Sequence, residues 1–170
     1  MTEETRSRMP DSAKAVLNLD TNDLTKGRCE PQDWNYEDIV VGASYSFART
    51  FSREDGLTFS RLSGDSNPLH LDEAYGATSR FGQNIVHGML AASVFSALIG
   101  MYCPGKRCLY LSQSINFHLP IFYGDSVTVR GTVVSKVNAF RIVTLKTEII
   151  RHGQLAIDGI ARTIVLEGPP

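Results

Sequence analysis

An acid and an imidazole stand five positions apart around a proline in Gly64-Asp65-Ser66-Asn67-Pro68-Leu69-His70. A carboxylate and an imidazole so placed can hold one water between them and exchange protons with it, which is the working arrangement of general acid–base catalysis. The same residues have a plainer reading. Gly64, Asp65, Ser66 and Asn67 are all turn formers, and Asp and Asn commonly cap a helix that follows a turn. Pro68 drives Asn67 away from the α region, so the segment is expected to be irregular and to lead into a helix over 72–79. The residues alone leave both readings open.

A second stretch, Val86-His87-Gly88-Met89-Leu90, begins an apolar run that lasts to Gly100. Residues 89–99 hold no charge, proline or glycine and are rich in Ala and Leu, which predicts a buried helix from Gly88 to a stop at Gly100. At 1.5 Å per residue it rises roughly 16 Å, too short to cross a bilayer. A helix apolar on every face must be enclosed by protein. Its first amides have no intrahelical acceptor and carry partial positive charge, so a developing oxyanion would be stabilised there.

The elements that must position these two stretches can be read outward from them. Residues 44–51 alternate polar and apolar as a half-buried strand does. Ser52-Arg53-Glu54-Asp55 fits a capped helix start, and that helix should run to Leu62 and stop at Gly64, delivering Asp65. After the apolar helix, residues 103–107 form a turn, and four strands are expected over 109–118, 126–135, 142–151 and 155–166. In the third, Val143, Leu145, Thr147 and Ile149 share one face; Gly124-Asp125, Asn138-Ala139 and His152-Gly153 mark the turns. Consecutive strands without helices between them pair antiparallel, giving an α+β layer with the apolar helix.

The chain has 170 residues, 42% hydrophobic and 21% charged, as expected of one globular domain. A net charge of −1 gives no footprint for nucleic acid or for an anionic membrane. Cys29, Cys103 and Cys108 lack metal-ligand spacing and read as reduced thiols in a cytoplasmic setting, or a mitochondrial matrix in a eukaryote. Residues 1–33 are polar and aperiodic, with no secretory core segment, and read as a tail; the domain is expected over 34–170, opened by Trp34 and Tyr36.

Three motifs in order, Gly64 to His70, Ile85-Val86-His87-Gly88-Met89 and Leu111-Ser112-Gln113-Ser114, together resemble the MaoC-like (R)-specific enoyl-CoA hydratases. The likeness runs from about Tyr36 to Leu166. It implies a hotdog fold, an antiparallel sheet wrapped around one long helix, usually paired as a homodimer. It implies reversible syn addition of water to a trans-2-enoyl thioester of coenzyme A or acyl carrier protein, without a cofactor. The family's catalytic pair falls on Asp65 and His70, its oxyanion amide on Gly88, and its carboxylate-orienting serine on Ser96. Asn67, His87 and Met89 are candidate substrate contacts, although Asn67 also suits a loop-shaping role and His87 a packing or capping one. The family commonly has a glycine where Arg107 stands. Lys106 and Arg107 therefore read either as solvated turn charges or as contacts to a coenzyme A phosphate. His118 and His152 have no evident partner in the sequence. Two other functions fit the same fold, hydrolysis of the thioester and acyl-thioester binding without catalysis. An intact Asp65–His70 pair argues against both.

Overall fold

A computed structural model describes residues 30–168. Strand β1 (Ser44–Thr50) leads into helix α1 (Arg53–Ser63). Ser52 caps α1 with its side chain on the Asp55 amide while Asp55 reaches back to Ser52, the reciprocal box that the sequence promised. Gly64 ends the helix at φ 81°, a left-handed position that glycine takes without a Cβ penalty.

Two short helices follow, α2 (Pro68–Leu71) and α3 (Glu73–Thr78). The second lies within the expected 72–79, with Asp72 as its cap. The first corrects the expectation of an irregular stretch. Proline is well suited to the first turn of a helix, and the Asn67 side chain accepts from the Leu69 amide, so one helical turn forms around His70.

Helix α4 spans Gly88–Ala97 and continues as a wider π turn over Leu98–Tyr102, so Gly100 does not stop it. Leu98, Ile99 and Tyr102 are all buried, and that apolar burial outweighs the weak helix preference of one glycine. The helix is also not enclosed on every side. Ala91, Ala92 and Phe95 are buried, whereas Met89, Ser93 and Ser96 form an exposed stripe on this single chain.

Six strands make one antiparallel sheet in the order β1-β4-β5-β6-β2, with β3 on β6. They are β2 (Cys108–Gln113), β3 (Asn116–Phe117), β4 (Ser126–Val137), β5 (Ile142–Arg151) and β6 (Gln154–Val165). Val143, Leu145, Thr147 and Ile149 point inward and are fully buried, as the alternation required. One departure is that the strand expected over 109–118 is broken. Ser114 accepts from the Ile160 amide through its hydroxyl and donates its own amide to the Ile160 carbonyl, so β2 and β3 meet β6 separately.

The core lies between this sheet and α4: Phe95 and Leu98 pack with Phe47, Val127, Val129 and Ile149, and Ile99 with Val133, Val143 and Leu145. Burying side chains of this size contributes roughly 1.5–3 kcal/mol each. Trp34 and Tyr36 do open the domain, through Trp34 Nε1 donating to the Tyr102 carbonyl and the Tyr36 hydroxyl to Asn138. The tail expected over 1–33 falls mostly outside the described residues. Its last two residues belong to the domain: Gln32 exchanges backbone hydrogen bonds with Met101 and Lys106, and Asp33 pairs with Arg107. Arg107, which also donates to Asn35, is thus tied to the start of the domain and is not a solvated turn charge. The pairing is long-range, which is why local sequence did not show it. No described helix is long and apolar enough to cross a membrane.

Candidate active site

The site is assembled where the α1–α4 connector folds over the start of α4. Asp65 sits in the turn after α1. Its carboxylate accepts from the Asn67 amide, and the turn is tied to α1 by a Ser60–Ser66 hydroxyl contact of 3.0 Å. Asn67 spends its side-chain oxygen on Leu69 and its carbonyl on the His70 amide. These bonds give it the loop-shaping role.

His70 rides on α2, and its Nδ1 lies 2.9 Å from the Ile85 carbonyl. A carbonyl can only accept, so Nδ1 carries the proton and Nε2 is left with the lone pair. Two residues that sequence reading missed hold this turn in place. Asn84, buried, donates to the carbonyls of Leu69 and Asp72, and Arg53 donates to Asn84 and to the Leu71 carbonyl. Asn84 follows Gly82-Gln83 and reads as one more turn residue. Only its burial reveals the clamp.

Polar atoms of Asp65, His70 and His87 all lie within 4.8 Å of one another. One water with two hydrogen bonds of about 2.8 Å can bridge such a gap. The acid and the imidazole that are five positions apart in sequence are thus neighbours in space. His87, expected as a substrate contact or as a packing or capping residue, is the third member, and it makes no cap hydrogen bond. It is 1% exposed, its Nε2 lies 3.1 Å from the Asp65 carbonyl, and its ring stacks on that of His70 at 4.0 Å. Burial, and secondarily the neighbouring His70, push its pKa down, although the bond to Asp65 acts the other way. The three side chains are also near enough to ligate a cation, a grouping that sequence spacing had not suggested, but each imidazole already commits one nitrogen to a carbonyl.

Gly88 begins α4 directly beside this group, and no acidic residue occupies the first turn. A Cβ on Gly88 would stand 3.0 Å from the Phe117 ring, so glycine leaves that backbone the most approachable. Gly88 also borders a pocket of about 230 Å³ lined mainly by apolar groups, among them Ile85, Val86, Ala91, Phe117 and Ile157. A helix start facing a mostly apolar pocket can stabilise an oxyanion and receive an aliphatic chain.

Two further expected site residues lie on the exposed face of α4. Met89 is 58% exposed on the open stripe of α4, not turned into the pocket. Ser96 is exposed on the same stripe, and no hydrogen bond joins it to Asp65. Eight residues along an α-helix advance about 12 Å, so Ser96 stands about two turns beyond Gly88. His118 and His152 do have partners: Asp158 lies 3.1 Å from His118, and Asp125 lies 3.8 Å from His152. Both aspartates come from other elements, out of reach of a local reading.

A family model described as "MaoC like domain" matches residues 39–153. The chain is 44% identical over 126 residues to an (R)-specific enoyl-CoA hydratase of Aeromonas caviae, covering 74% of this chain and 94% of that one. It is 40% identical over 130 residues to an (R)-specific enoyl-CoA hydratase of Rhodospirillum rubrum, covering 76% and 90%. The solved structure of an (R)-hydratase from A. caviae superposes with a TM-score of 0.75 at 42% identity, covering 76% of this chain and 99% of that one.

Proposed function

The chain belongs to the MaoC-like domain family, and from that premise we propose that it is an (R)-specific enoyl-CoA hydratase, a hydro-lyase with the hotdog fold. It adds water reversibly across the C2–C3 bond of a trans-2-enoyl thioester. The single observation that carries the chemistry is the convergence of Asp65 and His70 at the start of α4.

The division of labour follows from the geometry. Ile85 fixes the His70 tautomer, so Nε2 and the Asp65 carboxylate are two acceptors for the two hydrogens of one water. That water's remaining lone pair is directed at C3. One acceptor takes its proton as the C3–O bond forms, and a proton is returned to C2 from the same side. Delivery from one side makes the addition syn. Charge that builds on the thioester oxygen meets the Gly88 amide and the α4 dipole. No change in oxidation state of the protein or loss of the carrier is needed, so the reaction runs without a cofactor. Dialysis against a chelator should leave turnover unaltered.

A homodimer is part of the proposal. The exposed stripe Met89, Ser93 and Ser96 on α4 and the open strand edges of β1 and β2 both favour a second copy as the cover. Light scattering should give twice the mass of one chain. The unpaired thiols of Cys103 and Cys108 suit a cytoplasmic setting.

The test is to follow crotonyl-CoA by loss of the conjugated-thioester absorbance, with a thiol reagent in a parallel sample. Absorbance loss without thiol release, and an (R)-3-hydroxy product on chiral analysis, are expected. Thiol release would make the protein a thioesterase. No change in either signal, with crotonyl-CoA and with longer-chain enoyl thioesters of coenzyme A and acyl carrier protein alike, would make it a binding module.

A further inference from the structure

We propose that His87 is a positioning residue of the acid–base pair, donating its Nε2–H to the main-chain carbonyl of Asp65 and setting the plane of the His70 ring. The inference rests on the hydratase reading above and deepens it.

The side chain does not serve its own helix: His87 sits at the N-cap of α4 yet makes no cap hydrogen bond. It reaches instead across 22 positions to Asp65, 3.1 Å from the carbonyl. Since that carbonyl only accepts, Nε2 carries the hydrogen and Nδ1 holds the lone pair. Nδ1 is buried with no hydrogen-bond partner. A residue chosen only to fill this space would be Leu or Phe, which leave no dry lone pair. The imidazole is explained by what its other nitrogen holds.

The consequence for chemistry is direct. The Asp65 carbonyl and carboxylate hang from one Cα, so fixing the carbonyl fixes the hinge from which the carboxylate swings. The Asn67 amide then holds the carboxylate itself at 3.1 Å. On the other face, the His87 ring lies 4.0 Å from His70 at an angle of 28°, with Phe59 packed against His87 at 5.2 Å. His70 is thereby held at Nδ1 by Ile85 and across its face by His87. Burial favours the neutral form of His87, which has one N–H to give and places no cation beside His70.

The experiment compares His87→Gln, His87→Asn and His87→Leu. Gln places its amide nitrogen near the imidazole Nε2 position, Asn near Nδ1, and Leu has no donor. Steady-state hydration of crotonyl-CoA should lose roughly 10–10²-fold in kcat for Leu and Asn, the scale of a small misplacement, with KM little changed. Gln should recover most of that loss. The double variant Asp65→Asn/His87→Leu should be no slower than Asp65→Asn, because His87 acts through the Asp65–His70 unit, which Asp65→Asn has already broken. In parallel, the Ser66 amide resonance, which reports the peptide bearing the Asp65 carbonyl, should move in the Leu and Asn variants and return in Gln. That readout needs no turnover, so it decides the positioning even if crotonyl-CoA proves not to be a substrate. Equal losses in Gln and Leu, an unaltered kcat in Leu, or a Ser66 amide that does not respond would each overturn the proposal and leave His87 as packing.

Discussion

The α1–α4 connector and the β4–β5–β6 sheet are built on opposite terms. The sheet is specified by repetition: alternate side chains of β5 are fully buried, and any one of them resembles its neighbours. The connector, residues 64–87, repeats nothing. Its shape depends on single side chains bonded to main chain, namely Asp65 to the Asn67 amide, Asn67 to Leu69, His70 to Ile85, Asn84 to Leu69 and Asp72, and His87 to Asp65. Apolar burial is non-directional and tolerates substitution of similar volume. A hydrogen bond to a particular carbonyl is directional and does not. The sheet should therefore govern stability, and the connector should govern turnover.

That contrast can be broken at several points. The largest effect on turnover belongs to the pair itself: His70→Ala should lower it by roughly 10²–10⁴, the range of a positioned acid or base. If the two groups share one water, Asp65→Asn/His70→Ala should be little worse than the poorer single variant, which a rate comparison checks. Multiplying losses would mean separate roles.

Next comes the clamp. Asn84→Ala removes donors from two carbonyls and leaves the Arg53 guanidinium without its Asn84 partner. It should cost about 1–3 kcal/mol in denaturant unfolding and, by loosening α2, roughly tenfold in turnover. A loss of stability with full activity would show that the position of His70 does not depend on the clamp.

Leu145→Ala should behave in the reverse way. A cavity at this fully buried site should cost about 2–5 kcal/mol, while turnover per folded molecule stays level. The smallest effect is expected at Ser96→Ala. On an exposed position without a bond to Asp65 it should change stability by no more than about 0.5 kcal/mol and turnover little. A loss comparable to that of His70→Ala would mean that the α4 stripe is covered in the working assembly and that Ser96 meets a catalytic group there.

What the sequence made legible follows the same division. Period-two alternation gave β5 at its observed bounds, and the Ser52–Asp55 box and Gly64 gave α1. The residues around Pro68 leave an acid–base pair and a capped turn both open, and it is the resemblance to the MaoC-like hydratases that favours the pair. The parts that were not legible are set by distant partners. Arg107 finds Asp33 across 74 positions, and Ser114 breaks a strand by bonding to Ile160. Asn84 and His87 look like a turn residue and a helix-start residue until burial and the carbonyls they reach are known. The extent of α4 was misjudged because Gly100 is a local stop signal, and tertiary burial of Leu98, Ile99 and Tyr102 overrides it.

On the proposed mechanism Asp65 is half of an acid–base pair and not merely a turn former. Asp65→Asn keeps an acceptor for the Asn67 amide and so preserves the turn, while removing the carboxylate. Its turnover of crotonyl-CoA, measured on protein whose circular dichroism matches that of the parent, tests the claim most directly. The account predicts a fall of roughly 10²–10⁴. Near-full activity in the folded variant would contradict it, and the turn alone would then explain why Asp65 stands there.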